Sequence, residues 1–317
     1  MAEIKVILTD INGAETEAEN IESIELMRDS SAPCDALRLT FFSETPMEET
    51  EKAEVEINGE KVFFGYCDSQ RETLDKNGMK CFIYARSSAC LLLDNEAFPQ
   101  SYFKPTASAL YAVNARRFGF INLLPENSSE FEYSVFKGAS CYGAINDFVS
   151  ASSGKNICVT PYNELCVPEG KPFSLNKEDV ISERRIISRG EGISEIGYKL
   201  KGNEKYIRHI KSRFLENKKI RRSRLRNISA MPEWQRENSL VNSLRNACEN
   251  YYSYEIELEG FHPLGLYDKA EYISEKFGNL SGCFVSSVNL MQNKNIKKTR
   301  LTLNRRIEPE AVRYVAE

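Results

Sequence analysis

Short runs in which apolar and charged residues alternate recur along this chain, and they restrict it to strand-rich folds. Residues 53–57, Ala-Glu-Val-Glu-Ile, alternate at every position, as a strand buried on one face does. Asn58-Gly59 follows, and both residues tolerate the positive φ angles of a tight hairpin turn. Residues 62–67 supply the partner strand. A second turn of this kind at residues 75–78 leads into a strand over 80–85, so we predict an antiparallel barrel or sandwich.

The first strand-rich region extends from residue 1 to residue 95 and is predicted to be one β-barrel domain. Besides the two hairpins, it contains three apolar runs that read as strands, at residues 4–8, 21–26 and 36–42. Short strands separated by turn signals at this spacing are typical of a closed antiparallel sheet.

The pattern changes over residues 96–175, which are predicted to form a small α/β insert. Residues 106–118 and 140–152 have apolar positions at helical spacing, and each run is followed by a glycine, Gly119 or Gly154, that can end a helix. Residues 156–160 and 163–167 then read as a hairpin.

Strand patterns return over residues 176–306, predicted to be a second β-barrel domain with one helix at about 231–252. Its strands are predicted at 180–187, 195–200, 254–260, 269–273, 282–288 and 299–303. Residues 307–317 are predicted to be a loose C-terminal tail. The fold class is therefore mainly β with an α/β insert: two antiparallel barrels flank a small helix-containing segment.

Composition excludes several classes of function. Hydrophobic residues make up 41% of the 317 residues and charged residues 28%, which is ordinary for a folded domain. The formal net charge of -4 gives no overall electrostatic reason to bind nucleic acid or membranes. No apolar run is long enough for a transmembrane helix, and the N-terminus does not resemble a signal peptide. We therefore expect a chain made in the cytosol, without a membrane partner.

The cysteines argue against a metal site. Their number, nine, is odd, no Cys-x-x-Cys occurs, and the chain has only two histidines, whereas a structural zinc site draws on closely spaced Cys and His ligands. We expect buried free thiols, because cysteine packs as a small apolar residue, and a reducing compartment during folding. Neither a metal nor a cofactor is predicted. The nine are Cys34, Cys67, Cys81, Cys90, Cys141, Cys158, Cys166, Cys248 and Cys283.

Catalytic patterns are also absent from the sequence. A Ser or Cys nucleophile needs a base, usually histidine, but His209 lies in a basic run and His262 follows a turn. The glutamates mostly alternate with apolar residues, as the outer face of a strand requires. The glycine-rich stretch 190–197 has neither the G-x-G-x-x-G nor the Gly-Lys-Ser/Thr spacing of a phosphate loop. The chain is therefore predicted not to be an enzyme.

A basic run between residues 205 and 226 is the strongest local signal. It contains a single acidic residue within the run, Glu216, and two aromatic residues, Tyr206 and Phe214, too few for a single-strand stacking platform. Three interpretations remain open: an acidic protein partner, nucleic-acid phosphates, or a solvated face. Its apolar positions fit strands with charged outer faces. The candidate partner-binding residues are Lys211, Arg213, Lys218, Lys219, Arg221, Arg222, Arg224 and Arg226.

The order of these segments resembles a known family. Residues 84–97, Tyr-Ala-Arg-Ser-Ser-Ala-Cys-Leu-Leu-Leu-Asp-Asn-Glu-Ala, are similar to the passage that ends the first barrel of phage baseplate hub proteins of the late control D type. The two helices at 106–118 and 140–152 resemble the insert of those proteins, and residues 254–303 resemble the closing strands of their second barrel. The sequence departs from the family at Ala85, where a glycine is usual. The N-terminal hub part of VgrG spike proteins is related.

The resemblance implies a structural role in a contractile phage tail or a phage-tail-like injection particle. Three subunits with two barrels each would form a ring that adapts a six-fold tail tube to a three-fold spike. The implied partners are further copies of this chain in a homotrimer, the spike protein, the tail tube or tube-initiator protein, and the tape-measure protein. The chain would be assembled into the baseplate of a virion or related particle after synthesis in the bacterial cytoplasm.

Two other functions remain as alternatives. The first is a cell-wall hydrolase of the same tail machine, which requires a deep pocket with a perturbed carboxylate or a Cys–His pair. The second is a nucleic-acid-binding protein that uses residues 205–226, which requires a continuous basic surface.

Overall fold

A computed structural model describes residues 3–76, 78–126, 128–129, 132–200, 202, 205–229, 233–294, 296–306 and 311–315. Strands make up 49% of it and helices 17%. The prediction of a mainly β fold with a small helical segment is therefore confirmed.

Seven strands form the first region, and their buried positions alternate as the sequence predicted. Strand β5 buries every second residue from Ala53 to Ile57, and the turn at Asn58-Gly59 has positive φ at both positions. A short helix, α1, follows the last strand. The elements are β1 Ile4–Asp10, β2 Glu15–Glu17, β3 Ile21–Asp29, β4 Ala36–Ser43, β5 Thr50–Ile57, β6 Glu60–Asp75, β7 Gly78–Ser87 and α1 Cys90–Leu93.

The insert contains the two predicted helices and the predicted hairpin. The hydroxyl of Thr106 accepts a hydrogen bond from the Ala109 amide, and that of Ser140 from the Gly143 amide, so both helices begin with a side-chain cap. Gly119 and Gly154 end the helical segments with positive φ. The elements are β8 Gln100–Tyr102, α2 Ala107–Asn114, a 3-10 turn Arg116–Phe118, β9 Ile121–Leu123, β10 Tyr133–Val135, α3 Cys141–Ser153, β11 Cys158–Val159 and β12 Glu164–Cys166.

The remaining residues form twelve described strands and two helices. They are β13 Pro172–Ser174, a 3-10 turn Lys177–Asp179, β14 Val180–Ile187, β15 Glu195–Lys199, β16 Arg208–Ser212, α4 Arg213–Asn217, β17 Ser223–Asn227, α5 Glu233–Glu249, β18 Tyr252–Glu259, β19 Lys269–Glu271, β20 Ile273–Ser274, β21 Gly278–Asn279, β22 Cys283–Asn293, β23 Ile296–Arg305 and β24 Ala311–Val315.

The two strand regions that the sequence suggested as separate barrels are hydrogen-bonded to each other. Strand β22 pairs with β3 in antiparallel register, from Ser287–Asp29 to Asn293–Ser23. The main path through the sheet is β14-β18-β23-β22-β3-β4-β7-β6-β5-β1-β2. Buried side chains from both regions also form one hydrophobic cluster. An unpaired strand edge leaves amide and carbonyl groups open, and this pairing satisfies the edges of β3 and β22.

Residues 195–227 depart from the predicted second barrel. They form a separate four-stranded sheet, β17-β15-β16-β24, and α5 covers one face of it through Ile196, Ile210, Leu240 and Leu244. Part of the basic run is helical rather than extended. Helix α4 begins where the Ser212 hydroxyl accepts a hydrogen bond from the Leu215 amide, and it buries Leu215 completely.

The predicted loose tail is wrong in part. Residues 311–315 form β24, which pairs antiparallel with β16 from Ala311–Ser212 to Val315–Arg208. Strand β16 already pairs with β15 on its other side, so β24 satisfies its second edge. Residues 307–310 and 316–317 lie outside the described residues, as do Met231 of the predicted helix, the side chain of Trp234, and the predicted turn residue Asn77.

Candidate interaction surfaces

The structure spreads the basic run over several local surfaces. Lys211 lies on β16, with its Nζ 3.5 Å from a Glu216 carboxylate oxygen. Arg213 begins α4, and the two lysines that follow this helix lie near its end. Lys218 contacts the Phe214 and Tyr252 rings, and Lys219 takes a positive φ of 59°. The arginines at 221, 222, 224 and 226 come next, the last two on β17.

The register of the small sheet divides the basic residues between its two faces. Arg224 is paired with Ile196, and Arg226 with Tyr198, so both arginines project on the side of the sheet that α5 partly covers. Lys211 is paired with Glu195 and projects on the opposite side. The run is therefore not one continuous basic stripe, which does not favour the nucleic-acid interpretation.

On the outer face of the small sheet, the side chains of Leu225, His209 and Glu195 lie around a glycine. This glycine, Gly197 of β15, is paired with Leu225 on β17 and with His209 on β16. A Cβ atom placed there would lie 2.9 Å from Leu225 Cδ2 and 3.3 Å from the His209 ring. His209 Nδ1 lies 2.7 Å from a Glu195 carboxylate oxygen. A carboxylate of the neighbouring strand is therefore a close partner of this histidine ring.

A shallow concavity of about 410 Å³ lies beside the basic loop between α4 and β17. Lys219, Arg221 and Arg222 line it together with Glu195 and Glu216. The carbonyl of Arg222 accepts a hydrogen bond from the Ser194 amide at 2.9 Å, which fixes the loop backbone. The concavity can receive a small acidic group, although its two carboxylates would oppose a large anion.

Strand β17 presents an open edge within the described part of the chain. It pairs in parallel with β15 on one side, and it is terminal in the strand order of its sheet. All five of its residues are exposed, and 65% of Leu225 is accessible. An open edge of this kind can accept an extended segment of a partner, and Arg224 and Arg226 would favour an acidic one.

The large sheet has two end strands that carry opposite charges. At one end, β2 is exposed along its whole length and has Glu15 and Glu17. At the other end, β14 has Arg184 and Arg185, and 74% of the Arg184 side chain is accessible. In the described residues, neither β2 nor β14 has a second hydrogen-bonded neighbour. These edges are complementary in charge and in backbone hydrogen-bonding capacity.

A cleft of about 780 Å³ between α3 and α5 is a candidate for a reactive pocket. Its carboxylates come from Asp147, Glu169 and Glu249, and its walls also carry lysines and arginines. Although the Asp147 side chain opens to solvent, the surrounding walls desolvate it and raise its pKa. The described lining has neither a cysteine nor a histidine. One of the two features expected of a hydrolase is thus present, and the Cys–His pair is not among the lining residues.

The remaining sequence candidates lie in structural positions. His262 Nε2 is 2.9 Å from the Glu259 carbonyl oxygen, and its amide donates to Thr299. Residues 190–194 of the glycine-rich stretch lie in the connection between β14 and β15, and residues 195–197 lie in β15. Among the residues that the structure describes, no cluster of three or more His, Cys, Asp or Glu side chains is arranged for a metal. None of the described helices combines the length and apolar character needed to span a bilayer.

The junction between the first strand region and the insert is held by an arginine that binds two carboxylates. Arg86 at the end of β7 donates to both carboxylate oxygens of Asp94, from Nη1 at 3.1 Å and from Nη2 at 2.6 Å. It also donates to Asp68 on β6, from Nη2 at 3.0 Å and from Nε. Hydrogen bonding to Arg86 lowers the pKa of Asp94. The sequence showed this pair only as two positions within the family-like passage.

No protein-family model matches the sequence, and no curated protein matches it. Solved structures do resemble the fold. A tail protein from Neisseria meningitidis MC58 has a TM-score of 0.75 at 16% identity, with 96% of each chain covered. A 43 kDa tail protein of prophage MuSo2 from Shewanella oneidensis has a TM-score of 0.77 at 14% identity, with 96% of this chain and 98% of that one covered.

A third similar structure belongs to a secretion system. The c3393 protein of E. coli is described as a component of the type VI secretion system with structural similarity to the T4 phage tail proteins gp27 and gp5. Its TM-score is 0.57 at 8% identity, with 99% of this chain and 79% of that chain covered. The chain therefore has the fold seen in these tail and secretion-system proteins over nearly its whole length.

Proposed function

We propose that this chain is a structural, non-enzymatic hub subunit of the baseplate of a contractile phage tail or a phage-tail-like injection particle. Three copies form a ring that joins a six-fold tail tube to a three-fold spike. The observation that carries the proposal is the fold match to two tail proteins over 96% of the chain. The match to the secretion-system protein, which is described as similar to two T4 phage tail proteins, supports a role in a tail or an injection machine.

The charged edges of the large sheet support self-assembly. Arg184 and Arg185 project on opposite faces of β14, and Glu15 and Glu17 share one face of β2. If β14 of one subunit meets β2 of the next, one of the two arginines therefore lies on the same face as both glutamates, and open backbone groups pair across the contact. A head-to-tail contact of this kind closes into a ring when its rotation is a simple fraction of a turn. One contact type, repeated three times, is sufficient for a homotrimer.

The basic segment supports contact with another component of the particle. Strand β17 offers an open edge with Arg224 and Arg226, and the neighbouring concavity adds Lys219, Arg221 and Arg222. We assign this surface to an acidic protein partner, in the group formed by the spike, the tail tube or its initiator, and the tape-measure protein. Charge complementarity at such an interface would mainly increase the association rate.

Light scattering after size-exclusion chromatography tests the ring. The purified chain is expected to have the mass of a trimer. Reversing one edge, with Arg184→Glu and Arg185→Glu, is expected to reduce it to a monomer, because glutamates would then face glutamates. Adding Glu15→Lys and Glu17→Lys to the same chain restores opposite charges and should restore the trimer.

A matched control separates edge pairing from a general effect of charge. Arg116→Glu with Lys137→Glu changes the net charge by the same amount on exposed residues of the insert, and this variant should stay trimeric. A wild-type chain that remains monomeric at all concentrations would contradict the proposal. The proposal would also be contradicted if the variant that carries all four charge-reversing substitutions failed to recover the trimer.

A further inference from the structure

Two cysteines face each other across the hairpin of the insert. Cys158 on β11 and Cys166 on β12 are direct partners in the antiparallel register, and their Sγ atoms lie 3.5 Å apart. Both thiols are free and half-buried, so small reagents can reach them. Two thiols at this separation, held on strands that already pair, are positioned for a covalent modification.

The register of the hairpin places the two cysteines within disulfide range. The Thr160 amide donates to the Glu164 carbonyl oxygen at 2.9 Å. Hydrogen-bonded and non-hydrogen-bonded pairs alternate along such a ladder, so Cys158 and Cys166, two positions further, form a hydrogen-bonded pair with Cα atoms about 5.5 Å apart. Disulfides span Cα separations of about 4.4–6.8 Å but need Cβ atoms only about 3.5–4.5 Å apart, and the Cβ atoms of a hydrogen-bonded pair are farther apart than those of a non-hydrogen-bonded pair. Closing the bond therefore draws the two strands together locally, and the strain makes the bond easier to reduce.

We propose that Cys158 and Cys166 form a reversible cross-strand disulfide when the protein meets a disulfide oxidant such as oxidised glutathione. The thiolate of one cysteine attacks a glutathione sulfur, the glutathione S–S bond breaks, and one glutathione leaves with the electron pair. The second cysteine loses its proton and attacks the protein-bound sulfur, which releases the second glutathione. The protein loses two protons and two electrons, and the oxidant becomes two molecules of reduced glutathione.

The environments of the cysteines favour reaction at this pair. A hydrogen bond from Cys158 lowers the pKa of the Cys166 thiol, and the thiolate is the attacking form. Burial instead raises the pKa of Cys67, and it raises that of Cys34 to about 12 and that of Cys90 to about 11. Oxidation is therefore expected at the hairpin before it occurs at the partly exposed Cys34 and Cys67 or at the buried Cys90.

The bond would fix a defined part of the molecule. Strand β12 also pairs in parallel with β9, so linking β11 to β12 secures all three strands of this small sheet. Cys158 lies near enough to the Arg28–Asp35 ion pair of the first strand region to interact with it electrostatically. The link thus stabilises the insert where it faces the large sheet.

Thiol mapping of the full chain tests this assignment. The protein is equilibrated at a series of reduced-to-oxidised glutathione ratios, quenched with iodoacetamide, digested and analysed by mass spectrometry. A linked peptide joining Cys158 to Cys166 is expected at ratios that leave Cys67 alkylated. In Cys158→Ser, the remaining Cys166 should stop as a mixed disulfide with glutathione. The control Cys67→Ser should keep the hairpin link.

Two results would overturn the assignment. One is wild-type protein in which both hairpin thiols are still alkylated at ratios that modify Cys67. The other is wild-type protein in which both carry glutathione without joining. The wild-type map decides between the outcomes without any substitution, so a variant that folds poorly does not weaken the test.

Discussion

Replacing Arg86 by methionine should destabilise the junction between the first strand region and the insert. Arg86 and Asp68 are 27% and 29% exposed, and charged hydrogen bonds at such partly buried sites contribute about 1.5–3 kcal/mol. Asp94 is 54% exposed, so solvent screening reduces its share to about 0.5–1 kcal/mol. We expect Arg86→Met to lower the free energy of unfolding by about 2–4 kcal/mol, and Asp94→Asn by about 0.5–1 kcal/mol.

The pH dependence of this loss follows from the lowered pKa of Asp94. A carboxyl group whose pKa is lower in the folded state adds stability above its unfolded value of about 3.9, and this stability disappears as the pH falls through the folded value. The difference between wild type and Arg86→Met should therefore be larger at pH 7 than at pH 3. Urea unfolding followed by circular dichroism at both pH values measures it.

A suitable control is Arg38→Met on β4. Arg38 makes a single 3.1 Å contact with Glu25 and is 52% exposed, so its loss should lower the free energy of unfolding by about 0.5 kcal/mol or less. If Arg86→Met also costs less than about 0.5 kcal/mol, or if its cost is equal at both pH values, the reasoning about this junction is refuted.

Three further substitutions test the core, a close backbone contact and the cleft. Leu301→Ala removes a fully buried side chain of the large sheet and should lower the free energy of unfolding by about 2–5 kcal/mol in a urea titration. Gly170→Ala would place a Cβ 1.7 Å from the Tyr267 carbonyl oxygen, so a thermal melt should show a lower Tm. Because the walls of the cleft partly desolvate Asp147 and raise its pKa, its ionised form is less favoured in the folded state than in the unfolded state. Asp147→Asn should therefore raise the free energy of unfolding at pH 7 but not at pH 3. Neither this variant nor the wild type should release soluble fragments from peptidoglycan. Release by the wild type that is lost in the variant would identify an enzyme.

The sequence predicted individual strands and capped helices because their signals are local. The alternation at 53–57 reflects which face of the strand is buried, and Asn58-Gly59 reflects the positive φ angles of a tight turn. The structure has them as β5 and a turn. Ser140 and Gly154 likewise marked the two ends of α3. Such signals depend on residues a few positions apart and need no knowledge of the rest of the fold.

Pairing between distant strands could not be predicted in this way. Alternation states which face of a strand is buried and does not identify its neighbour, so the contact between β22 and β3 over more than 250 positions was missed. The parallel pairing of β15 with β17 was missed for the same reason. Strand β24 depends on the open edge of β16, which exists only after the small sheet has formed.

Two features of the candidate surfaces did have usable signals. Ser212 followed by Arg-Phe-Leu-Glu is a helix start with an acidic first turn, which would have indicated that the basic run is not entirely extended. The predicted hairpin with a turn near Asn163 also places Cys158 opposite Cys166 once the register is counted from Thr160 and Glu164. The charges of the two sheet edges became meaningful only when the strand order was known.

Electron cryo-microscopy of the purified full chain is the decisive test for the trimeric ring, because it shows shape and symmetry together. We expect three-fold rings with a central channel, in which the end strand β14 of each subunit lies against β2 of its neighbour. Single separate subunits at every concentration, or an assembly without a channel and with both sheet edges facing solvent, would contradict it.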